Sequence, residues 1–306
     1  MDACMRACGI ALFMSSPGIA HATDAIAQGT AECRPHEQQA SNKKGNAADC
    51  APKPSVDADR GSDGTEPVEM TVGSPPMQSD DTGTPGPGNW EVNLGIYGDV
   101  TGGTRLVNLP SLDINYGYGD AVQFSYTLPV VFTDQAQPDG GGTARNADGW
   151  KLGESEAGIK YRFYDDKETG LAFAIYPQVR FRTPGVDRAI PDGSTVLVLP
   201  LLTTWEFAHV SMTVNAGIEA SAGDRFTFAS AGIGTRLTDR VAVMAEVVGE
   251  NLNAKDDKVV LFDIGIRQKI TDRQSVSAAL GRDLDVGGDR QEHAYFAIAW
   301  QMLFGR

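Results

Sequence analysis

No stretch of this 306-residue chain is apolar for long enough to cross a bilayer as a helix, which takes roughly 18 to 20 consecutive apolar residues. A helical membrane anchor is thereby excluded. Cysteine is scarce: Cys4, Cys8, Cys33 and Cys50 all precede residue 51, and no Cys/His spacing suited to zinc occurs. Positive charge is in short supply too. Lys and Arg number 26 against 40 Asp and Glu, giving a net charge of −14. No basic stripe is available to neutralise phosphates, so nucleic acid is not a partner. Of the four histidines only His209 and His293 lie beyond residue 89, and no Gly-x-Ser-x-Gly nucleophile motif accompanies either of them. The mean hydropathy is negative, the usual mark of a water-soluble chain. A β-barrel escapes that test, because half of each strand faces polar surroundings.

What the chain does have is a beat of alternating residues from Trp90 to Phe304. In Val210-Ser211-Met212-Thr213-Val214-Asn215-Ala216-Gly217-Ile218-Glu219-Ala220, one parity is apolar and the other polar. A strand has period two, so such a segment is greasy on one side and wet on the other. Many strands of this kind, each long enough to span hydrocarbon at a tilt, predict an all-β, transmembrane, antiparallel up-and-down β-barrel.

Three regions follow. Residues 1–22 read as an export signal peptide: Arg6 supplies charge, Gly9 to Met14 form an apolar core, and Ala20-His21-Ala22 makes a small-x-small cleavage site. Residues 23–88 are rich in Pro, Gly, Ser, Thr, Asp and Ala and poor in large apolar residues, so they read as a disordered periplasmic linker. A plug or partner-binding arm is the sharper alternative there, but the composition does not support a folded plug. Cys33 and Cys50 fall in this region. They are either a disulfide or two free thiols, and Gly29-Thr30-Ala31-Glu32 before Cys33 is not a lipobox. Residues 89–306 are the barrel. Export without a helical anchor, together with amphipathic strands, points to the outer membrane of a diderm bacterium.

Twelve strands are predicted, at 90–98, 104–117, 121–131, 150–163, 171–182, 196–207, 210–220, 225–237, 240–249, 258–269, 273–282 and 291–304. Short turns such as Ala208-His209 and Thr271-Asp272 alternate with longer loops such as Gln135 to Gly149. An even strand number with short periplasmic turns and longer outer loops is the bacterial pattern. The strand at 225–237 breaks parity between Phe226-x-Phe228 and Ala231, Ile233 and Leu237, which a bulge near Ala229 or a shifted boundary reconciles. Trp90, Tyr116, Tyr161, Phe163, Trp205, Phe207 and Phe304 fall at the periplasmic rim, where an aromatic girdle belongs.

Several phrases resemble the MetA-pathway-of-phenol-degradation family of outer-membrane transporters. They are Leu112-Asp113-Ile114-Asn115-Tyr116-Gly117-Tyr118-Gly119-Asp120 leading to Tyr126-Thr127-Leu128-Pro129; Gly149-Trp150-Lys151-Leu152-Gly153-Glu154 followed by Gly158-Ile159-Lys160-Tyr161-Arg162-Phe163; Tyr176-Pro177 with Arg182-Thr183-Pro184-Gly185; and the twin turns Leu237-Thr238-Asp239-Arg240 and Ile270-Thr271-Asp272-Arg273. The resemblance covers about 84 to 304. The chain departs from it at Gly153-Glu154, where Gly-Asp is usual, and in its long acidic tail. It implies passive uptake of small hydrophobic or aromatic compounds and transfers no catalytic residue. Phe304 also resembles the terminal aromatic that barrel-assembly machinery reads, although Gly305-Arg306 follow it here.

The polar faces put Glu154, Glu156, Lys160, Arg162, Arg180, Arg182, Glu219, Glu246, Asp263, Arg267 and Lys269 on the inside, since Arg or Lys in mid-depth hydrocarbon costs about 2–4 kcal/mol. They either line a selective eyelet for a small solute or pair and close the lumen. The partners expected are thus a lipid bilayer, a small-molecule solute and barrel-assembly machinery, with no cofactor, no metal and no covalent chemistry. A structural or adhesive barrel and an outer-membrane lipid hydrolase using His293 are the competing classes. The acidic loop Asp283-Leu284-Asp285-Val286-Gly287-Gly288-Asp289 lacks the rest of a calcium-loop pattern, and Gly140-Gly141-Gly142 has no strand-to-helix context for phosphate.

Overall fold

The protein is seen here as a computed structural model that describes residues 72–73, 75–101, 104–135, 149–183, 195–254, 258–287 and 293–305. The export signal, Cys33, Cys50, Gly140 to Gly142 and Asp289 lie outside the described residues. Among those described, every helix or strand assigned is a strand: β1 (Trp90–Thr101), β2 (Thr104–Tyr118), β3 (Val122–Gln135), β4 (Gly149–Leu152), β5 (Glu154–Asp166), β6 (Leu171–Ile175), β7 (Gln178–Arg182), β8 (Val196–Phe207), β9 (Val210–Ala220), β10 (Arg225–Thr238), β11 (Val241–Glu250), β12 (Val259–Thr271), β13 (Gln274–Val286) and β14 (His293–Phe304).

Two of the predicted strands are each split in two. Gly153 separates β4 from β5, and both halves pair with β3. Tyr176-Pro177 separates β6 from β7, and both pair with β5 and β8. The wall therefore has twelve strands, each antiparallel to its neighbours. It closes where β1 meets β14, in register from Trp90 opposite Phe304 to Thr101 opposite His293. Closure leaves no sheet edge, so every strand finds partners on both sides without water.

The burial pattern shows which side of this sheet meets lipid. On β9, Met212, Val214 and Ile218 are 39%, 48% and 38% exposed, while Thr213, Asn215 and Glu219 are 0%, 2% and 5% exposed. A soluble sandwich would bury the first set and expose the second. β8 behaves alike: Leu197, Leu199, Leu201 and Trp205 face out and Thr204 faces in. Trp90, Tyr161, Phe163, Trp205, Phe207 and Phe304 are exposed and Tyr116 is half-buried, with Trp90 against Tyr116 and Trp205 against Phe207 at 4.7 Å between ring centroids. The Trp205 indole N–H donates to the Thr169 carbonyl in the neighbouring turn (2.9 Å). Greasy outside and polar inside, the closed sheet is an outer-membrane barrel. Ile264, outward and near the middle of β12, is a direct probe of this orientation. Ile264→Arg is expected to cost about 2–4 kcal/mol, read as a lower denaturant midpoint in lipid vesicles.

The bulge expected near Ala229 is absent. β10 pairs with β9 without interruption from Arg225 opposite Ala220 to Thr235 opposite Val210, and the irregularity against β11 lies between Arg236 and Thr238 instead. Parity is kept because Phe228 points inward: a Cβ on inward-facing Gly217 would lie 2.4 Å from its ring. The barrel thus has apolar residues inside as well as outside.

Candidate functional site

The lumen carries three layers of chemistry. At its outer end Arg180 on β7 sits between Glu156 on β5 and Glu219 on β9. Its Nη2 and Nη1 lie 3.3 Å from their respective carboxylates. Register places Glu156 directly opposite Arg180, as it does Glu154 opposite Arg182. Below this triad the outer half of the wall is apolar on one side, where inward Val196, Val198, Phe228, Val248 and Leu261 cluster with Tyr295. Lower down, near the periplasmic ends of β1 and β2, Asp113 accepts from Asn93 (2.9 Å), Asn115 (2.8 Å) and Thr127 (3.0 Å), and Glu91 accepts from Asn93 (2.8 Å).

The periplasmic half is filled by the chain itself. Residues 72–88 belong to the stretch that composition assigns to a linker, yet their described part lies within the barrel. From β1 the segment runs back past β2, with Gly88 N–H donating to Gly117 O (2.9 Å), and then crosses the lumen. Thr82 N–H donates to Thr204 Oγ1 (3.0 Å). Lys160 Nζ reaches Asp80 Oδ1 (3.0 Å) and Gly83 O (3.2 Å). Asn215 donates to Asp80 O (2.9 Å), Ser79 Oγ meets Ser230 Oγ (2.7 Å), and Glu246 accepts from the backbone N–H groups of Gln78 and Ser79. Arg267 donates to the carbonyls of Gly73 and Pro75, and Val72 N–H to Ser211 Oγ (3.0 Å). The segment rises to mid-height at Glu246 and returns toward the periplasmic end at Ser211.

Such a polar stretch cannot fold alone, because it has too little apolar surface to offset its ordering entropy. Inside the barrel that surface is supplied from outside. Val72 and Met77 are at most 2% exposed and cluster with Met244, Ala279 and Ala297. The wall makes room by omitting side chains. A Cβ on Gly232 or Gly234 would lie 2.7 Å from Val72, and one on Gly265 would lie 2.8 Å from Met77 Sδ.

Glu154 and Arg182 are register partners at the outer ends of β5 and β7, and the other residues singled out from sequence fall into four groups. Glu156, Arg180 and Glu219 form the outer triad. Lys160, Glu246 and Arg267 hold the N-terminal segment. Asp263, 0% exposed, takes the Tyr295 hydroxyl as donor. Arg162 and Lys269 sit lower, at the periplasmic turns, 3.3 Å and 3.0 Å from Asp165 and Asp272. Glu91, Asp113 and Asp80 escaped that reading. The first two carry a period-two signal with Asn93 and Asn115; Asp80 lies in a stretch with no periodicity. His293 is clasped by Asp283 (2.6 Å to Nδ1) and Asp99 (3.1 Å to Nε2), which ties β14 to β13 and β1 at the outer rim. Asp285 of the acidic loop pairs with Lys258 (2.6 Å).

No protein-family model matches the sequence, and no curated protein matches it. Among solved structures, the COG4313 outer membrane channel from Pseudomonas putida F1 is similar at 12% identity with a TM-score of 0.58, over 74% of this chain and 100% of that one. The NanC porin aligns at 6% identity and TM-score 0.48, over 69% and 98%. The CymD monoaromatic hydrocarbon channel aligns at 11% and 0.40, over 72% and 90%. The first likeness is one of fold, and it agrees with the wall geometry: the chain is a twelve-stranded barrel of the bacterial outer membrane.

Proposed function

We propose that the barrel is a passage for small, uncharged, hydrophobic or aromatic solutes, as its resemblance to the MetA-pathway transporters implies. The observation that carries this is the apolar belt of Val196, Val198, Phe228, Val248 and Leu261 inside the outer half of the lumen. A passage for sugars or ions has no use for it. An apolar solute gains roughly 25 cal/mol for each Å² of surface it removes from water there. The triad of Glu156, Arg180 and Glu219 narrows the outer entrance, where one guanidinium is held by two carboxylates. Export by residues 1–22 and recognition of Phe304 by barrel-assembly machinery belong to the same proposal.

The test is calorimetric titration of the purified barrel with toluene or a similar single-ring aromatic. Saturable binding is expected, weakened about tenfold or more by Val198→Asp with Phe228→Asp, which puts charge where about 1.4 kcal/mol already means tenfold. Absence of saturable binding would sink the reading. It would favour the second one, a structural barrel closed by its own chain, for which the filled periplasmic half speaks.

A further inference from the structure

Five inward positions on neighbouring strands stand in one row of the ladder. Gly232 on β10 is opposite Glu246 on β11, and Glu246 is opposite Asp263 on β12. Asp263 is opposite Gly281 on β13, and Gly281 is opposite Tyr295 on β14. Two residues further out along β11 and β12 stand Val248 and Leu261, which belong to the apolar belt. Two residues toward the periplasm stand Met244, Gly265, Ala279 and Ala297, which receive Val72 and Met77. The row is a partition between two apolar sites. It is built of two glycines, two carboxylates and one ring.

That ring is shared. Tyr295 packs against the belt and against the cluster that holds Val72 and Met77. Gly281 lets it lie against the wall, since a Cβ there would run into ring Cε1. The Tyr295 hydroxyl donates to Asp263. Asp263 stands beside Glu246, and Glu246 accepts from the backbone N–H groups of Gln78 and Ser79. Ring and hydroxyl therefore lead to the same stretch of the N-terminal segment, residues 77–79. The ring reaches it through Met77, and the hydroxyl through two carboxylates.

A solute seated on Val248 and Leu261 meets the outward side of this ring. Turned to cover the solute, the ring uncovers Met77 and withdraws its donor from Asp263. Both losses fall on the docked segment, because an uncovered apolar side chain and a buried carboxylate without its donor each cost free energy. Solute and segment thus make different contacts in two states of one side chain, which is what a ligand needs in order to shift an equilibrium.

We propose that Tyr295 is a positioning residue through which a small apolar solute on the belt loosens residues 77–79 of the segment that fills its way. It rests on the passage reading above and adds a trigger to it: the periplasmic half opens when the belt is occupied. Linkage is reciprocal, so a segment loosened elsewhere lets the solute bind more tightly.

The test reads segment and solute separately. In the full-length barrel with its four cysteines changed to serine, Ser79→Cys reports docking, because Ser79 is buried against Ser230. A membrane-impermeant maleimide is expected to label position 79 about fivefold faster at saturating toluene than without it. Tyr295→Phe keeps the ring and keeps this response from a raised baseline, whereas Tyr295→Ala abolishes the response. Tyr97→Ala, on the ring that packs against the Val72 and Met77 cluster but not against the belt, raises the baseline and keeps the response. In the other direction, Arg267→Ala frees the segment at Gly73 and Pro75 and should tighten toluene binding by calorimetry up to about fivefold, but not when combined with Tyr295→Ala. An unchanged labelling rate at saturating toluene, or the same rise with Tyr295→Ala, overturns the coupling. Should Tyr295→Ala fail to fold, an unaltered toluene affinity in Arg267→Ala overturns it instead. Absence of saturable toluene binding in the native barrel overturns the passage reading itself.

Discussion

A chain that begins at Asn89 is expected to conduct ions in planar bilayers at least about tenfold better than the full-length barrel, because a twelve-stranded wall lies between the side-chain-filled eight-strand case and the open sixteen-strand channel. In the full chain the space is taken by residues 72–88, held by three separate anchors: Glu246 on the N–H groups of Gln78 and Ser79, Lys160 on Asp80, and Arg267 on the carbonyls of Gly73 and Pro75. Each anchor ties a charged inward side chain to the segment. Releasing the segment exposes these polar groups to the lumen, and water entering it solvates them. Glu246→Ala alone should produce brief openings, since the other two anchors remain. An unchanged conductance in the shortened chain would mean that the wall itself closes the lumen.

The hold of this segment also depends on pH. Burial pushes the Asp80 carboxyl up to about 6, against the pull of Lys160 and with a further push from Asp81. A raised carboxyl takes up its proton more readily when docked than when released, so docking tightens as pH falls through that value and loosens as it rises. Spontaneous openings should be more frequent at pH 8 than at pH 5, and Asp80→Asn should flatten the difference.

The second large effect concerns Arg180. Its guanidinium is 14% exposed and is the cation that the structure sets between Glu156 and Glu219. Arg180→Ala leaves two carboxylates facing each other in a confined space, which costs about 3–5 kcal/mol for a buried pair broken on one side. The loss is read as a lower temperature for the heat-dependent shift in electrophoretic mobility. Restoration of most of it by adding Glu219→Gln would show that the unpaired charge, and not lost packing, is responsible. In the chain beginning at Asn89 the same substitution should shift selectivity toward cations. A stability equal to that of the native barrel would mean that the triad is fully hydrated and carries little energy.

How much of this was legible in advance differs by element. The limits of β8 and β9 were readable to the residue, because Val196 to Phe207 is a β-branched and apolar run, Val210 to Ala220 alternates cleanly, and a two-residue turn joins them. The interruptions at Gly153 and Tyr176-Pro177 were hidden, since alternation continues across each and pairing, not pattern, reveals the gap. Phe228 misled because an aromatic in a barrel strand is expected to face lipid, and here one belongs to an apolar belt within the lumen. The N-terminal segment was the hardest. Its composition reads as that of a segment without a core of its own. Nothing local in Val72 or Met77 announces that Gly232, Gly234 and Gly265, more than 150 positions away, leave a bed for them. Of the inward charges, those named in advance lie on β5, β7, β9, β11 and β12; Glu91 and Asp113 on β1 and β2 were passed over, as was Asp80 on the segment.

Trp90 stands opposite Phe304. The first strand of the wall thus waits for the last, and a ribosome must finish the whole chain before the cylinder can be zipped shut. Until then β1 presents a row of unmatched amides that some other molecule has to shield. Chains shortened by one C-terminal strand should be degraded rather than inserted, whereas a covalent bridge from Phe304 to Trp90, with new ends cut in an outer loop, should be tolerated.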